Sequence, residues 1–457
     1  WREGTLMFTD LAGFTPLMEA SARLGRVGAE RLLGTLNAYF AAMLEIISKA
    51  GGNLLEFTGD AMLVQFDATQ RGNETAKAVR AGLRMQRAMQ RFAAIETARG
   101  PLALGMRVGI HAGRFLAADI GTPRRMEHVL LGATVQHTKR AESKGAVGRV
   151  CLSAVARERV AELFRVEPGA PGFGLVVDDL ADDELGEYEL AAFNRRAASG
   201  LMLDRSPEGL AAAIDEALSL AEPLACYVPP AVLQLLVEGA ADRAIAPRIP
   251  TVVALFVKLT GPPDRLDQLL PDEEAGLVAG FSRLFALINA AVEARGGILK
   301  NATCDRVGSD MLIYFGSPNA HPDEPARAAA AALAIREIVA GAPPVAIGGA
   351  PVLTRCRIGL ALGPVFNAEI GEPRGRREFN ILGDAVNTAA RVMGQARDHQ
   401  ILLTSELAEL IRDEFACAPL GAVPLKGKAA PVLLFALQDR LAAGAAGPDP
   451  ASANFQI

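Results

Sequence analysis

The 457-residue sequence lacks several features that would place it in a specialised class. Its five cysteines are odd in number and show no CxxC spacing, which argues against a disulfide framework and against a zinc site. Its five histidines show no metal-ligand spacing either. No apolar run approaches the roughly 18 residues of a membrane span, and no signal peptide is recognisable. We therefore expect a cytoplasmic protein with no membrane span.

An excess of charge of one sign is also missing. The chain has 47 Lys and Arg against 52 Asp and Glu, a net charge of −5, so we expect no nucleic-acid partner. Half of the residues are hydrophobic and 22% are charged, which favours buried cores over disorder. At roughly 100–200 residues per domain, the length predicts two to four domains. The first residue is Trp1 rather than Met, so we expect a piece of a longer protein.

What the sequence does contain is one module written twice. RVGIHAGRFLAADIGTPRRMEHVLLG at residues 107–132 returns as RIGLALGPVFNAEIGEPRGRREFNILG at 357–383. GGNLLEFTGDAMLVQF at 51–66 returns as GGILKNATCDRVGSDMLIYF at 296–315, with a longer turn. Two copies indicate duplicated domains rather than a solenoid. We refer to them as copy one and copy two.

The order of elements is the same in both copies. A short apolar strand is followed by a long helix, two strands, a second helix, a strand pair, a short helix and final strands. This β-α-β-β-α-β order predicts two ferredoxin-like α/β (α+β) domains. We predict a first domain over 1–195, a linker with short helices over 196–249, a second domain over 250–440 and a loose tail over 441–457. Helices are expected at 28–50, 74–97, 133–143, 210–220, 231–238, 273–295, 325–340 and 384–395.

Two acidic residues follow apolar strands in copy one. Asp10 ends the strand in FTDLAGFT, and Asp60 lies in the turn of FTGDAML. Two carboxylates at the ends of neighbouring strands repel each other unless a cation joins them. Oxygen ligands suit Mg²⁺ or Mn²⁺ bound together with phosphate oxygens. Singly, Asp10 is as well explained as a helix cap and Asp60 as a turn residue, but the pair favours a metal site.

The segment after Asp10 favours phosphate binding. Gly13 permits a tight backbone, and the free N–H groups at the start of the following helix attract phosphate. We therefore expect Gly13, Phe14 and Thr15 to border the substrate. A structural role for Thr15 as the N-cap, with Pro16 at the first helical position, is compatible with this.

Copy two has lost both acids. Lys258 stands at the position of Asp10, and Ser309 stands at the position of Asp60. Asp310 lies one residue further on, and a shift of one residue along a strand turns a side chain to the other face. We therefore expect no metal site built by copy two.

Copy two instead carries Asn387 and Arg391 in DAVNTAARVM. Residues four apart lie on the same face of a helix. Copy one has Gln136 and Arg140 at the matching positions, so this pair is altered there. An exposed polar pair without function is the alternative explanation. Taken with the acids of copy one, the pattern predicts that each copy holds a different half of one site.

Together, FTDLAGFT, GGNLLEFTGDAML and FNILGDAVNTAARVM resemble the class III nucleotidyl cyclases, and in particular the soluble-type adenylyl cyclases with tandem catalytic domains. The resemblance covers about residues 4–195 and 250–440. In that family two such domains pair head to tail about a pseudo-twofold axis, and the sites form at their interface. It implies intrachain pairing of the two copies and an adenylate cyclase that converts ATP to 3′,5′-cyclic AMP and pyrophosphate.

The resemblance also implies roles for the residues singled out above. Asp10, Asp60 and the carbonyl of Leu11 would hold two divalent cations, Mg²⁺ or Mn²⁺. Asn387 would position the ribose, and Arg391 would stabilise the charge that develops on the α-phosphate.

Four further positions follow from the family pattern. Lys426 in LKGKAAP and Arg114 in GIHAGRF match phosphate-contacting residues, whereas Asn380 in EFNIL and Arg306 in TCDRVGS match the pair that reads the purine. Neither member of that pair is the glutamate or cysteine of guanylyl cyclases, so we favour ATP. A guanylate cyclase and a catalytically inactive nucleotide-binding regulatory module are the alternatives.

A second interface site would be built from Lys258, Ser309, Gln136 and Arg140. It lacks metal ligands, so we expect it to turn over no nucleotide. In bicarbonate-responsive relatives a lysine stands four residues before the second metal aspartate. Glu56 occupies that position in this chain, which argues against the same bicarbonate site.

Overall fold

The computed structural model describes residues 1–68, 72–97, 100–186, 206–239, 245–371, 376–428 and 430–441. Copy one and copy two each form a mixed sheet packed against helices, and a helical linker joins them. Nearly all of the tail predicted to be loose lies outside the described residues, as do residues 187–205 of the chain before the linker helices.

The elements of copy one follow the predicted order. Its strands are β1 (Arg2–Ala12), β2 (Asn53–Thr58), β3 (Ala61–Asp67), β4 (Ile95–Thr97), β5 (Gly100–Leu102), β6 (Gly105–Thr122), β7 (Arg125–Leu131), β8 (Val150–Ser153), β9 (Val166–Pro168) and β10 (Phe173–Val176). Its helices are α1 (Phe14–Ala22), α2 (Gly25–Lys49), α3 (Glu74–Ala88), α4 (Ala133–Lys144) and α5 (Ala154–Arg159). The linker contains α6 (Pro207–Ala225) and α7 (Pro230–Glu238).

Copy two repeats this arrangement. Its strands are β11 (Thr251–Thr260), β12 (Ile298–Cys304), β13 (Ser309–Phe315), β14 (Val345–Ile347), β15 (Ala350–Val352), β16 (Arg355–Pro364), β17 (Phe366–Gly371), β18 (Arg377–Leu382), β19 (Ile401–Thr404), β20 (Phe415–Val423) and β21 (Val432–Arg440). Its helices are α8 (Glu274–Glu293), α9 (Glu324–Ala340), α10 (Asp384–Met393) and α11 (Ser405–Ile411).

The strand order confirms the predicted fold class. The sheet of copy one runs β2-β3-β1-β6-β8-β10-β9, and that of copy two runs β12-β13-β11-β16-β19-β21-β20. In each, the first four strands are antiparallel in the ferredoxin-like order, with the opening strand in the centre. The helix expected over 74–97 is wrong beyond Ala88, because a 3-10 turn and the short β4–β5 hairpin occupy its second half.

Two extended hairpins, which we term arms, join the copies. The second half of β6 with β7 forms arm one (residues 116–131), and β17 with the segment 376–382 forms arm two. Apolar residues of arm one belong to the core of copy two, and apolar residues of arm two belong to the core of copy one. Burial of this surface stabilises the pairing. The buried arm residues are Leu116, Ile120, Val129, Leu130 and Leu131 in arm one, and Phe366, Ala368, Ile370 and Leu382 in arm two.

One helix in the described part of the chain, α8, is long and apolar enough to cross a membrane. Its apolar side, which includes Leu277, Phe281, Phe285 and Ile288, is buried in the core of copy two. The packing of a core helix therefore accounts for this composition.

Candidate active site

The two acids of copy one lie at the ends of neighbouring strands. Asp10 is near the end of β1, and Asp60 lies in the β2–β3 turn, two residues before Met62, which pairs with Thr9. The turn requires Gly59, whose φ is 71°. Burial and the charge of Asp10 raise the pKa of Asp60 to about 7. The pair is therefore short of positive charge.

One arginine partly supplies that charge. Arg107 lies opposite Asp10 in the β1–β6 register and forms an ion pair with its carboxylate. Arg107 also contacts Glu142 of α4, with 2.8 Å between its Nε and a carboxylate oxygen. Burial and the nearby Asp10 raise the pKa of Glu142 to about 7. The sequence analysis did not single out Arg107, because the matching position of copy two also holds an arginine, Arg357.

The segment that follows Asp10 turns sharply into α1. Gly13 is the N-cap with a φ of 89°, and a Cβ there would lie 2.6 Å from the carbonyl oxygen of Ala103. Thr15 lies within the helix, so its interpretation as the N-cap is wrong. Phe14 is 5% exposed, and Leu11 is buried in β1 beside Asp10. The backbone at the start of α1 thus lies close to the acidic pair.

A cavity of about 140 Å³ lies between the copies at this point. It brings Asp60 of copy one together with Asn387 of copy two, as the distribution of motifs between the copies predicted. A larger cleft of about 590 Å³ is lined by copy one alone and contains none of the predicted residues. The residues around the smaller cavity are Phe14, Thr58, Gly59 and Asp60 of copy one, and Phe256, Lys300, Asn301, Thr303, Asp310, Leu312, Ile381, Leu382, Gly383, Val386 and Asn387 of copy two.

Arg391 follows Asn387 by one turn of α10 and is half-buried. A Cβ at Gly427 would lie 3.4 Å from the guanidinium nitrogens of Arg391, so the loop after β20 rests against this group. Lys426 is exposed in the same loop. The structure thus groups Lys426 with Arg391, near Asn387.

A lysine that the sequence analysis missed lines the cavity. Lys300 is 8% exposed, and its ammonium donates to Glu378 at 2.6 Å. It sits at a β-bulge, where the register of β12 shifts between Leu299 and Asn301. A bulge changes which residues share a face, so alternation along the strand did not identify Lys300.

Two predicted residues lie away from the cavity. Arg306, expected to read the base, is in the β12–β13 turn with a side chain 56% exposed, and its carbonyl accepts a hydrogen bond from Arg140 at 2.9 Å. Arg114 pairs with Glu3 in the register that pairs Asp10 with Arg107. At roughly 3.3 Å per residue, the seven residues from 107 to 114 place it about 23 Å along β6 from that pair. The structure therefore does not bring Arg306 or Arg114 to this cavity, and their roles stay predictions.

Asn380 is next to the cavity but does not face it. Its side chain is 1% exposed, and its amide nitrogen donates to the carbonyl of Gly59 at 2.8 Å. Its amide oxygen accepts from the backbone N–H of Ile381 at 3.0 Å. Each polar atom thus has one partner, although an amide has a second donor hydrogen and a second lone pair. The role of Asn380 in reading the base stays a prediction.

The second interface site has a different charge pattern. The ammonium of Lys258 lies 2.6 Å from Asp305 and 3.1 Å from Asp310. Lys258 and Asp310 are direct partners across β11 and β13 and lie on one face, whereas Ser309 pairs with Leu259 and lies on the other, as the shift of one residue predicted. Despite burial, which lowers it, the pKa of Lys258 is raised by the two carboxylates. The hydroxyl of Ser309 is buried with no hydrogen-bond partner in the described residues.

A profile of the adenylate and guanylate cyclase catalytic domain matches residues 2–169 and again residues 279–438. These two matches cover most of the sequence, so the chain belongs to this family. The expectation of a class III cyclase with tandem catalytic domains is thereby confirmed.

Both of the following relatives are named adenylate cyclases and are longer than the part that matches this chain. Adenylate cyclase type 10 of Oryctolagus cuniculus is 25% identical over 407 residues, which is 86% of this chain and 24% of that protein. An adenylate cyclase of Mycobacterium tuberculosis is 28% identical over 206 residues, 45% of this chain and 43% of that protein. The chain therefore spans about a quarter of the length of the first of these relatives.

One solved structure is similar over nearly the whole chain. The crystal structure of a class III adenylyl cyclase-like ATP-binding protein from Pseudomonas aeruginosa has a TM-score of 0.59 and 17% identity, and it covers 90% of this chain and 85% of that one. At this identity the similarity concerns the fold alone.

Proposed function

We propose that the chain is an adenylate cyclase with one active site, built by both copies, and one interface site that turns over no nucleotide. The observation that carries this proposal is the cavity shared by Asp60 of copy one and Asn387 of copy two. The acids are present only in copy one, and the Asn-Arg pair only in copy two. A cavity of about 140 Å³ is below the roughly 300–1,000 Å³ of typical ligand sites, so nucleotide entry requires the copies to move apart here.

The acidic pair fits hard divalent cations. It offers carboxylate oxygens, and burial together with the repulsion from Asp10 raises the pKa of Asp60. Among the described residues no group of three or more His, Cys, Asp and Glu side chains is placed to hold a metal ion, so remaining ligands would be backbone, phosphate and water oxygens. Asp10, Asp60 and the carbonyl of Leu11 would hold Mg²⁺ or Mn²⁺. Two such ions lower the pKa of a ribose 3′-hydroxyl and neutralise phosphate charge.

The chain's own residues would orient the reacting groups. In the reaction, the 3′-oxygen loses its proton and bonds to the α-phosphorus, while the bond to the bridging oxygen of pyrophosphate breaks. Asn387, with one amide donor and one acceptor group on the cavity wall, would hold the ribose. Arg391 presents a fixed cation to the charge that develops on the α-phosphate. Arg107, beside Asp10, and Lys426 would meet the outer phosphates.

Lys300 supports adenine as the base. Its ammonium is a donor only, and it reaches the cavity from copy two, where the family's adenylyl cyclases carry a base-reading lysine. Glu378 fixes its position through the 2.6 Å hydrogen bond. Adenine N1 accepts hydrogen bonds, whereas guanine N1 carries a hydrogen and cannot. The relatives named adenylate cyclase support the same substrate.

A turnover assay tests this proposal. Wild-type chain is incubated with ATP or GTP in Mg²⁺ or Mn²⁺, and cyclic nucleotide and pyrophosphate are measured. We expect cyclic AMP as the main product and its loss in Asp60→Asn, with the variant still folded by circular dichroism. A preference for GTP indicates a guanylate cyclase instead. Nucleotide binding without either product indicates a regulatory module.

A further inference from the structure

Arm two forms hydrogen bonds to the β2–β3 hairpin of copy one, which carries Asp60. The amide nitrogen of Asn380 donates to the carbonyl of Gly59 at 2.8 Å, and Gly59 directly precedes Asp60. The side chain is 1% exposed, so this bond is shielded from water. A Cβ at Gly59 would lie 3.4 Å from Leu382 of the same strand, so the turn also packs against arm two.

A second donor on arm two holds the other end of the same hairpin. The guanidinium of Arg376 donates to the carbonyls of Leu54 and Leu55, the latter at 2.7 Å. These carbonyls lie at the bulge of β2, where the register with β3 shifts. Backbone carbonyls at the turn and at the bulge of this hairpin therefore both accept hydrogen bonds from arm two of the opposite copy.

The pseudo-twofold axis provides an internal comparison. Arg125 of arm one makes the matching contact, and its guanidinium donates to the carbonyl of Lys300 in β12 at 3.0 Å. Val129 occupies the position of Asn380, since it pairs with Ala118 as Asn380 pairs with Ala368. Valine has no side-chain donor. The turn opposite Val129 carries Ser309 in place of Asp60. Among the described residues the additional bond thus occurs on the half that bears the acidic pair and not on the other.

We propose that Asn380 is a positioning residue for Asp60. It fastens the backbone immediately before Asp60 to copy two, so that the carboxylate faces the cation position only when the copies are paired. The inference rests on the proposed metal site and adds that copy two sets the metal affinity of copy one. Its geometry requires a donor at position 380, which an acceptor or an apolar side chain does not supply.

The test measures Mn²⁺ affinity without nucleotide, by electron paramagnetic resonance of the free ion, in the full chain. Asn380→Val copies the residue at the related position and removes the donor. Loss of one hydrogen bond, roughly 0.5–1.5 kcal/mol, corresponds to about two- to tenfold weaker Mn²⁺ binding. Val129→Thr, a shape-matched change at the related position, should leave the affinity unchanged. Cooperative unfolding checks that Asn380→Val is folded. If it is not, Asn380→Leu, which also lacks a donor, takes its place.

Turnover of both nucleotides separates positioning from base reading. If Asn380 positions Asp60, Asn380→Val lowers the rates with ATP and GTP by the same factor and leaves their ratio unchanged. A changed ratio with unchanged Mn²⁺ affinity assigns Asn380 to the base and overturns the inference. Wild-type chain that neither binds Mn²⁺ nor forms cyclic nucleotide contradicts the proposed function itself. Normal wild-type binding with equal affinity in the variants contradicts only the role of Asn380.

Discussion

The two interface sites occupy equivalent places in the fold but balance their charge differently. In one, Arg107 forms an ion pair with Asp10, and the pKa of Asp60 is raised to about 7 by burial and by Asp10. In the other, Lys258 occupies the position of Asp10, with two carboxylates around its ammonium. In the described residues no ion pair reaches Asp60 of the first site, whereas both carboxylates of the second site contact the same ammonium. Under the proposed function, the exchange of a few charges after duplication separates a reactive site from an inert one.

The largest difference between the sites should appear at the arginines of the matching helices. Arg391→Ala removes a preorganised cation from the proposed transition state, and losses of about 10²–10³-fold in kcat are typical of such groups. Arg140→Ala makes the related change at the second site and should stay within about twofold, since in the part of the chain that the structure describes its hydrogen bond across the interface goes to the exposed Arg306 carbonyl. Initial rates of cyclic AMP formation measure both. Comparable losses in the two variants would remove the distinction between the sites.

The second site should depend on Lys258 for stability. Lys258→Met leaves Asp305 and Asp310 without their cation, and we expect the free energy of unfolding to fall by about 2 kcal/mol. This is below the cost for a fully buried pair because both carboxylates keep partial exposure. Urea unfolding measures the change. The double variant Lys258→Met/Asp310→Asn should recover part of the loss, and a double variant no more stable than Lys258→Met would show that charge imbalance is not the cause.

The two cationic candidates for base recognition belong to different interface sites. Lys300 lines the cavity, whereas Arg306 contacts Arg140 of the second site. Lys300→Ala should lower kcat/KM for ATP about tenfold, the value of one hydrogen bond to a charged group. Arg306→Ala should leave kcat/KM for ATP within about twofold. Steady-state kinetics with ATP and GTP check both, and a stronger effect of Arg306→Ala would restore the assignment made from the sequence.

The smallest expected effect is the pH dependence of cation binding at the first site. The pKa of Asp60 is raised to about 7, so its carboxyl group is largely protonated below that pH. The proton then competes with the cation for the carboxylate. Mn²⁺ affinity should rise about fivefold from pH 6 to pH 7 and less than twofold from pH 7 to pH 8. Titration at the three pH values, with Asp60→Asn as the control, measures it. An affinity that falls as the pH rises would contradict this assignment.

Much of the fold was predictable because the repeat supplied its own alignment. Apolar strands and helices recur in the same order, and α2, α8 and α9 lie within a few residues of their expected bounds, whereas α3 ends well before its expected end at 97. The joint placement of Asp60 and Asn387 was also predictable, because each differs from its counterpart in the other copy. Comparison of the copies identifies residues that have diverged.

The same comparison overlooks residues that have not diverged or that depend on strand register. Arg107 was missed because both copies carry an arginine there, and Lys300 because a bulge shifts the alternation of β12. The orientation of Asn380 depends on a carbonyl 321 residues away in the chain. No local pattern encodes such a contact, since it forms only after both copies have folded and exchanged arms.

The most direct test of the account is the number of metal-dependent nucleotide sites per chain. Calorimetric titration of the full chain with a non-cyclisable ATP analogue in Mn²⁺ should give one site. That site should be lost in Asp60→Asn and retained in Lys258→Met. Two sites per chain, or binding that survives Asp60→Asn and disappears in Lys258→Met, would contradict the proposed division of roles between the two interface sites.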